Sequence, residues 1–382
     1  MKNLSRWGGI FLLAILGLLA FQTPDVSAAA VQHVGLNLQH VLPIFMGITL
    51  GANVLTLTDW AKRLDPDGKV PDIVEMLTQT NEVLDDMTFI EANNILSHRT
   101  TVRTGLPAVA WRLLNQGVAV SKSTTAQIDE TIGLLEAWAE VDIELAKLAG
   151  NESAFRLSEA QAFIEAMNQE MARTLFYGNS GIDPEKFTGL AVRYSDTTAR
   201  NGTNIIKATT SPTGSDQTSI WLIVWGPQTL TGIFPKGSKA GLEHKDLGEQ
   251  TAEITTGIGG SRMRVYQDQF IWKMGIALRD WRYVVRICNI DESLLVAGGA
   301  PAADLLAAMA RATWRIPAMG MGKAVFYMNR SVGEYLDIQA KNAVSTGGQL
   351  GYNEIDGRRI MNFRGIPIKI TDQILDTESI VV

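Results

Sequence analysis

The hydrophobic pattern between residues 151 and 178 predicts a long amphipathic helix. Four apolar residues recur at spacings of three and four, which places them on one stripe: Ile164, Met167, Met171 and Leu175. Phe155 and Leu157 fit the same stripe, so either Asn151 or Ser153 is the predicted N-cap. Gly178 suits the left-handed position that ends a helix. A helix over 153–177 would be roughly 35–40 Å long, at about 1.5 Å per residue, which suits a strut across a flat subunit.

The segment 98–130 has a different pattern. β-Branched residues are frequent, and turn sequences interrupt them at Gly105-Leu106-Pro107 and Asn115-Gln116-Gly117. This pattern predicts strands around turns. Because the segment is polar on both sides, we expect an extended two-stranded loop with little core of its own, which must pack on something else.

The rest of the chain mixes strands and helices, which predicts an α+β fold. Residues 219–226 form a nearly continuous apolar run, typical of a strand buried on both faces. The further predicted elements are a strand pair or bent strand over 272–291, a helix over 302–315, a strand over 323–328, a helix capped by Ser331 and short strands after Phe363.

Three carboxylates alternate with apolar residues just before the long helix. On a strand, Glu140, Asp142 and Glu144 would share one face. Such a trio indicates a metal site, a stripe of charge between subunits, or simply the solvated side of a half-buried strand. We favour the solvated side, because no histidine or fourth ligand accompanies the three residues.

Composition and motifs argue against an enzyme. The 382 residues carry 34 basic and 40 acidic side chains, a net charge of −6, which is the wrong sign for a surface built to grip phosphates. The single cysteine, Cys288, lies in an apolar run and is predicted to be a buried structural thiol. Gly320-Met321-Gly322-Lys323 departs from a phosphate loop, because Ala324 replaces the serine or threonine. We therefore expect no catalytic residue, cofactor or metal.

The N-terminus has the pattern of a secretory signal peptide. Within residues 1–30, two basic residues precede an apolar run and small residues that suit cleavage. Taken alone, this pattern favours export. Met46 is an alternative start, and short helices are predicted from Thr58 and Pro71.

The body from about Leu57 to Val382 resembles the major capsid proteins of short-tailed phages, including those that infect Bordetella. The resemblance is carried by these runs: LTDWAKRLDPDGK, HRTTVRTGLP, WRLLNQG, SKSTTAQ, AFRLSEAQAFIEAMNQE, IFPKGSKAGL, LRDWRYVVRI and FRGIPI. It implies the Hong Kong 97-type fold, with an N-terminal arm, an extended loop, a peripheral domain and an axial domain. We assign these parts to residues 46–97, 98–130, 131–290 (with the spine helix 153–177) and 291–382.

The resemblance also implies a function. Copies of the chain would form hexamers and pentamers of an icosahedral phage or prophage head around double-stranded DNA, with scaffold, portal and cement proteins as further partners. We expect a rearranged order of elements, because strands 219–226 and 272–289 lie mid-chain. Residues 1–45 have no counterpart, so we expect them to be absent from the mature subunit, which would assemble in the host cytoplasm.

Seven charged residues are the sequence-based candidates for contacts between subunits: Arg99, Arg103, Arg112 and Lys122 in the loop, and Glu140, Asp142 and Glu144. Ordinary solvated charges explain each of the four loop residues equally well, and they explain the three carboxylates better. Two alternative functions remain at this point. One is an encapsulin-like compartment of the same fold that holds enzymes, and the other is an exported enzyme or binding protein.

Overall fold

The structure is a computed structural model that describes residues 79–148, 151–209, 212, 214–254, 261–297, 303–342, 350–355 and 358–382. The predicted leader (1–30), the alternative start at Met46 and the helices predicted from Thr58 and Pro71 lie outside these ranges. The chain divides into two compact units, one of residues 1–59 and 251–263 and one of residues 60–250 and 264–382. Of the first unit, the structure describes only residues 251–254 and 261–263.

The described helices are α1 (Val83–Asp86), α2 (Ile143–Leu148), α3 (Glu152–Tyr177), α4 (Leu190–Arg193), α5 (Glu292–Ala297), α6 (Leu305–Arg315) and α7 (Arg330–Asn342). The described strands are β1 (Phe89–Glu91), β2 (Ser97–Gly105), β3 (Thr124–Asp142), β4 (Ile205–Lys207), β5 (Gln217–Trp225), β6 (Leu230–Phe234), β7 (Leu242–Ile254), β8 (Ser261–Leu278), β9 (Val284–Asp291), β10 (Lys323–Met328), β11 (Leu350–Ile355), β12 (Arg358–Phe363) and β13 (Ile366–Ile370). No helix among the described residues combines the length and the apolar character needed to cross a membrane.

The strands join into one sheet with the order β11-β12-β13-β10-β5-β6-β8-β3-β2. Off this path, β1 pairs with β6, β4 with β9, β9 with β5 and β7 with β8. Strand β3 pairs with two different strands along its length. Its first part pairs with β2, and from Ile132 to Asp142 it pairs antiparallel with β8. The mixed sheet confirms the predicted α+β class, and the predicted 323–328 strand is β10.

Strand β5 is the centre of the fold, and every residue in it is buried. Trp221, Ile223 and Trp225 face a core shared with α3, whereas Ile220 and Leu222 face a second core shared with α6 and α7. Burial on both faces explains the continuous apolar run in the sequence and confirms that prediction.

Segment 272–289 lies close to the long helix. Met274, Ile276 and Cys288 share a core with Met171 and Leu175 of α3. The 272–291 segment is not a strand pair, however. It contains the end of β8 and all of β9, which pair with other strands.

Helix α3 spans Glu152–Tyr177, one residue longer than the prediction. Asn151 is the N-cap, because its side chain accepts a hydrogen bond from the backbone N–H of Ala154 at 3.2 Å. The predicted stripe is correct at Met167, Met171 and Leu175, which are buried. It is also correct at Phe155, which is 1% exposed, but wrong at Leu157 and Ile164, which are 60% and 41% exposed.

The predicted left-handed Gly178 is wrong, because its φ is −54° and its ψ is 138°. Close packing explains the glycine instead. A Cβ atom on Gly178 would lie 2.4 Å from the backbone oxygen of Phe187. Gly189 is equally confined, since its Cβ would lie 2.7 Å from the oxygen of Thr174, and its N–H donates to the oxygen of Gly178 at 2.7 Å. The two glycines thus let the exit loop fold back onto the helix end.

The last helix begins one residue earlier than the predicted cap. Asn329, not Ser331, caps α7, since its side-chain oxygen accepts from the N–H of Val332 at 2.8 Å. Its amide also donates to Glu292 at 2.8 Å. Asn329 and Ser331 are both residue types that cap helices. The hydrogen bond to Glu292 favours Asn329 as the cap.

Candidate functional site

Strands β2 and β3 form a two-stranded ribbon with little core, as the sequence predicts. Their pairing runs from Ser97 opposite Thr131 to Gly105 opposite Thr124. Residues 124–129 are all exposed, and His98 is the one buried residue of β2. The ribbon therefore has little apolar core within its own chain.

Buried polar contacts hold the ribbon at its base. Both terminal nitrogens of Arg193 donate to the carboxylate of Glu130 at 2.6 Å, and the Glu130 side chain is 8% exposed. His98 lies beside Arg279, with 3.1 Å between Nε2 and Nη2. Burial, together with the charge of Arg279, lowers the pKa of His98. The base is fixed to the body, so the ribbon projects in a defined direction.

The tip of the ribbon, residues 106–123, consists of turn and irregular backbone. Strands predicted across this segment are therefore wrong. Seven large apolar side chains of the tip are exposed: Leu106, Val109, Trp111, Leu113, Leu114, Val118 and Val120. Three of them, Val109, Trp111 and Val120, are 92%, 104% and 102% exposed. An apolar patch of this kind marks an interaction surface.

The sequence-based candidates in the loop were the charges rather than these apolar residues. Arg99 is engaged within its own ribbon, where Nε and Nη2 donate to Asp129 at 2.7 and 2.8 Å. Arg103, Arg112 and Lys122 are exposed. The apolar patch is visible in the sequence as the run AVAWRLLNQGVAV. Because its valines also favour strands, the run alone does not distinguish an exposed patch from a strand.

The three candidate carboxylates do not form one site. Glu140 accepts a hydrogen bond from Gln267 at 2.8 Å, and the oxygen of Asp142 accepts from the N–H of Glu144 at 2.8 Å. The prediction that Glu144 continues the strand is wrong, because β3 ends at Asp142. Glu144 lies in α2 and forms an ion pair with Lys147 at 2.8 Å. In the described ranges no group of three histidine, cysteine or acidic residues is placed to hold a metal ion.

A groove lies where β3, the end of α3 and the exit loop meet. Leu135, Met171 and Phe187 line it, and the last two are 3% and 2% exposed. Leu134 lines its edge and is 54% exposed. The groove has a volume of about 90 Å³, well below the roughly 300–1,000 Å³ of small-molecule sites. The size therefore suits one apolar side chain better than a ligand.

The rim of the groove carries charged side chains of both signs. Lys186 forms ion pairs with Glu170 at 2.9 Å and with Asp183 at 3.9 Å. Glu185 also lines the groove and is exposed, and its carboxylate makes no ion pair with any described residue. Arg173 also lies near Lys186, so two basic side chains stand beside the three acidic ones and the excess of negative charge is small.

Two buried carboxylates, those of Glu378 and Asp86, fix the body of the chain. Arg286 and Glu378 meet at 2.8 Å with side chains 4% and 3% exposed, and Tyr177 and Ser219 donate to the same carboxylate. These contacts join the last residues of the chain to α3 and the central sheet.

The second buried carboxylate is that of Asp86, which is 1% exposed and accepts from Lys323, Lys369 and Tyr327. Its partner Lys323 is itself 55% exposed. Burial alone would raise the pKa of Asp86, but these three donors outweigh it and hold the pKa below its usual value.

Cys288 is fully buried, as predicted. Burial raises the pKa of its thiol to about 11, so the thiolate is absent at neutral pH. Lys323 of the incomplete phosphate-loop sequence donates to Asp86, and it opens strand β10 rather than a helix. Neither residue shows the arrangement of a catalytic site.

Comparison with known proteins gives a family and a fold. A family model described as major capsid protein GP7 matches residues 65–382. Among solved structures, the chain is similar to one of bacteriophage Epsilon15, with 34% identical residues and a TM-score of 0.72, over 87% of this chain and 99% of that chain.

Weaker similarities accompany these two. The capsid of bacteriophage JBD30 shares 12% of residues at a TM-score of 0.43, over 78% of this chain and 92% of that chain. A structure from Mycobacterium phage Adephagia shares 11% at 0.37, over 59% and 92%. The curated proteins include no match to this chain.

Proposed function

Since the chain belongs to the major capsid protein GP7 family, it is a shell protein of a phage head, and we propose that its copies close an icosahedral head as hexamers and pentamers around double-stranded DNA. The chain is a structural protein of the virion capsid and self-assembles into capsomers. Its mixed α and β architecture is of the Hong Kong 97 type.

One observation carries the proposal. The ribbon of β2 and β3 projects from a fixed base and ends in seven exposed apolar side chains. A two-stranded ribbon of this kind is only marginally stable on its own, and burying its apolar tip against another molecule would favour association. Repeating such a contact around a ring gives each subunit two neighbours without a large apolar patch on the compact body.

The assignment of parts follows the same proposal. Residues 46–97 would be the N-terminal arm, 98–130 the extended loop, 131–290 the peripheral domain and 291–382 the axial domain. We place assembly in the host cytoplasm, with residues 1–45 absent from the mature subunit. N-terminal sequencing of subunits from purified particles tests the last point, and recovery of residues 31–45 would contradict it.

Further partners are proposed from the geometry of a closed head. A scaffold protein would set its curvature, a portal would occupy one vertex, and a cement protein would bind outside. With a net charge of −6, the shell would enclose DNA without specific phosphate contacts.

The experiment is electron microscopy of the purified, full-length protein together with its nucleic-acid content. We expect closed shells or hexameric capsomers, and DNA inside particles taken from a lysate. Shells of this chain that hold enzyme instead of DNA would indicate an encapsulin-like compartment. A monomer recovered from the periplasm would contradict the proposal.

A further inference from the structure

We propose that His98 is a pH-sensitive latch at the base of the ribbon. Its neutral imidazole holds the start of β2 against the body of the chain through Arg279. Protonation of the ring releases β2, while β3 stays attached. This latch acts within a single chain, so it does not depend on the formation of shells. Three features of the described residues support it.

The first feature is the position of the ring between two donors. The Nε2 atom of His98 lies 3.1 Å from Nη2 of Arg279, and the backbone nitrogen of Asn93 lies 3.4 Å from Nδ1. A neutral imidazole has one acceptor nitrogen, whereas an imidazolium has none. The neutral ring therefore accepts the shorter contact, from Arg279, and a protonated ring accepts neither.

The second feature is that Arg279 makes no ion pair with any described residue. Its Nη1 atom donates to the carbonyl oxygen of Pro227 at 2.9 Å, and its Nε atom is buried without a partner. A charged His98 would therefore lie beside an arginine that no carboxylate neutralises, and the two like charges would repel. Glu130 attracts charge on His98, but both of its carboxylate oxygens already accept from Arg193.

The remaining charges near the ring belong to the ribbon itself. His98 stands opposite Glu130 in the β2–β3 register, and the next pair along is Arg99 opposite Asp129. Neighbouring residues of a strand point to opposite faces, so Arg99 and Asp129 lie on the other face of the ribbon, where they pair at 2.7 Å. Arg279 and the Glu130–Arg193 pair are therefore the charges that face His98.

The third feature is that the ribbon base has two separate anchors. Glu130 on β3 bonds to Arg193, and His98 on β2 is 6% exposed and bonds to Arg279. Histidine is the side chain that ordinarily titrates between pH 5 and pH 8. Acid in this range therefore acts on the β2 anchor and leaves the β3 anchor in place. Because the ribbon has little apolar core, losing one anchor changes its direction relative to the body.

The sign of the pH effect on stability follows from the protons bound in each state. Burial and the charge of Arg279 lower the pKa of His98 in the folded chain. The stability that His98 contributes is therefore fully present above the unfolded-state pKa of about 6.5. It is lost as the pH falls from there through the lower, folded-state pKa. The loss at Asp86 is separate, because it begins only near the unfolded-state pKa of about 4.

A distance measurement on the unassembled subunit tests the latch. Thr101 lies on β2 and Glu334 on α7, both are exposed, and the native Cys288 is buried and does not take up label. Spin labels on Thr101→Cys and Glu334→Cys, measured by double electron–electron resonance, should give a narrow distance distribution at pH 7.5. At pH 5.0 the distribution should broaden and its mean should shift. An unchanged distribution at pH 5.0 contradicts the latch.

Two substitutions connect the movement to His98. His98→Gln keeps an acceptor for Arg279 but does not titrate, so its distance distribution should be the same at both pH values. Arg279→Gln replaces the facing cation by an amide whose oxygen accepts from the protonated ring, so β2 should stay attached at pH 5.0. His244→Gln is the matched control, because His244 contacts Asp268 and Phe270 instead of the ribbon base. This control should keep the wild-type response.

Melting temperatures give a second readout of the same latch. Between pH 7.5 and pH 5.0 the wild type should lose more of its melting temperature than His98→Gln, and equal losses contradict the proposal. A distance shift that persists in His98→Gln, or that disappears in His244→Gln, also overturns it. If His98→Gln does not fold, Arg279→Gln decides, since a full wild-type shift in that variant rules the latch out. Failure of the latch leaves the shell function standing, because microscopy tests that separately.

Discussion

At the scale of single residues, burial decides what an ion pair contributes. Arg286 and Glu378 are 4% and 3% exposed, whereas Arg99 and Asp129 are 51% and 47% exposed. Removing one partner of a buried pair strands a charge away from water and costs about 3–5 kcal/mol. Breaking an exposed pair costs much less, because water and salt already screen the two charges.

This difference predicts the effect of two matched substitutions. Arg286→Met should lower the free energy of unfolding by about 3–5 kcal/mol, because Glu378 then remains buried without its cation. Arg99→Met should have a much smaller effect, because Arg99 and Asp129 are both exposed and solvent screens their attraction. Denaturant unfolding of the unassembled subunit measures both, and equal effects would contradict the assigned roles.

Asp86 predicts an acid dependence of stability. Its pKa is lowered in the folded chain, so its contribution is fully present above the unfolded-state pKa of about 4. That contribution is lost as the pH falls through the lower, folded-state pKa. Asp86→Asn should therefore be less stable at pH 7 and should lose less stability than wild type between pH 5 and pH 3. Thermal unfolding across this range checks it, and parallel pH profiles would rule it out.

Residue-level prediction from the sequence worked where one local bond decides the outcome. Asn151 was a predicted cap, and its side chain does accept from Ala154. It failed at Ser331, because Asn329 also contacts Glu292, which lies far away in the sequence. It also failed to separate charges bonded within the chain, such as Arg99, from exposed charges such as Arg112.

At the scale of elements, the long helix and its exit act as one unit. The exit loop returns within hydrogen-bonding distance of the last turn, and Gly178 and Gly189 permit this approach. Periodicity predicted the helix correctly, because its buried stripe is set by local spacing. It could not predict that Leu157 and Ile164 stay exposed in this structure, since neighbours decide that.

The close packing around Gly189 predicts that alanine is tolerated less well there than at Gly181. Gly189→Ala should destabilise the subunit by roughly 1–3 kcal/mol, because the added methyl meets backbone atoms that cannot move aside. Gly181→Ala should cost less than about 0.5 kcal/mol, because Gly181 is exposed and its Cβ would lie 3.2 Å from a flexible side chain. Melting temperatures of the two variants test this, and a tolerated Gly189→Ala would contradict the packing described for the exit.

At the scale of the whole molecule, the sheet order was beyond sequence-based prediction. Strand β3 exchanges β2 for β8 at Ile132, and β5 lies between β10 and β6. Such non-local pairings leave no local pattern. The continuous apolar run of β5 did indicate a strand buried on both faces, and two separate cores now account for it.

The shell role predicts that the loop tip is needed for assembly but not for folding. Replacing residues 106–123 by a two-residue Asn-Gly turn keeps β2 and β3 and removes all seven exposed apolar side chains. The variant should have wild-type circular dichroism and a similar melting temperature, but should form no shells. A variant that still closes shells would show that the tip is dispensable.

The central claim is tested most directly by electron microscopy of the purified full-length protein at increasing concentration. The account predicts closed shells or hexameric capsomers above a threshold concentration. A protein that stays monomeric at every concentration, with or without co-expressed phage head proteins, would contradict it.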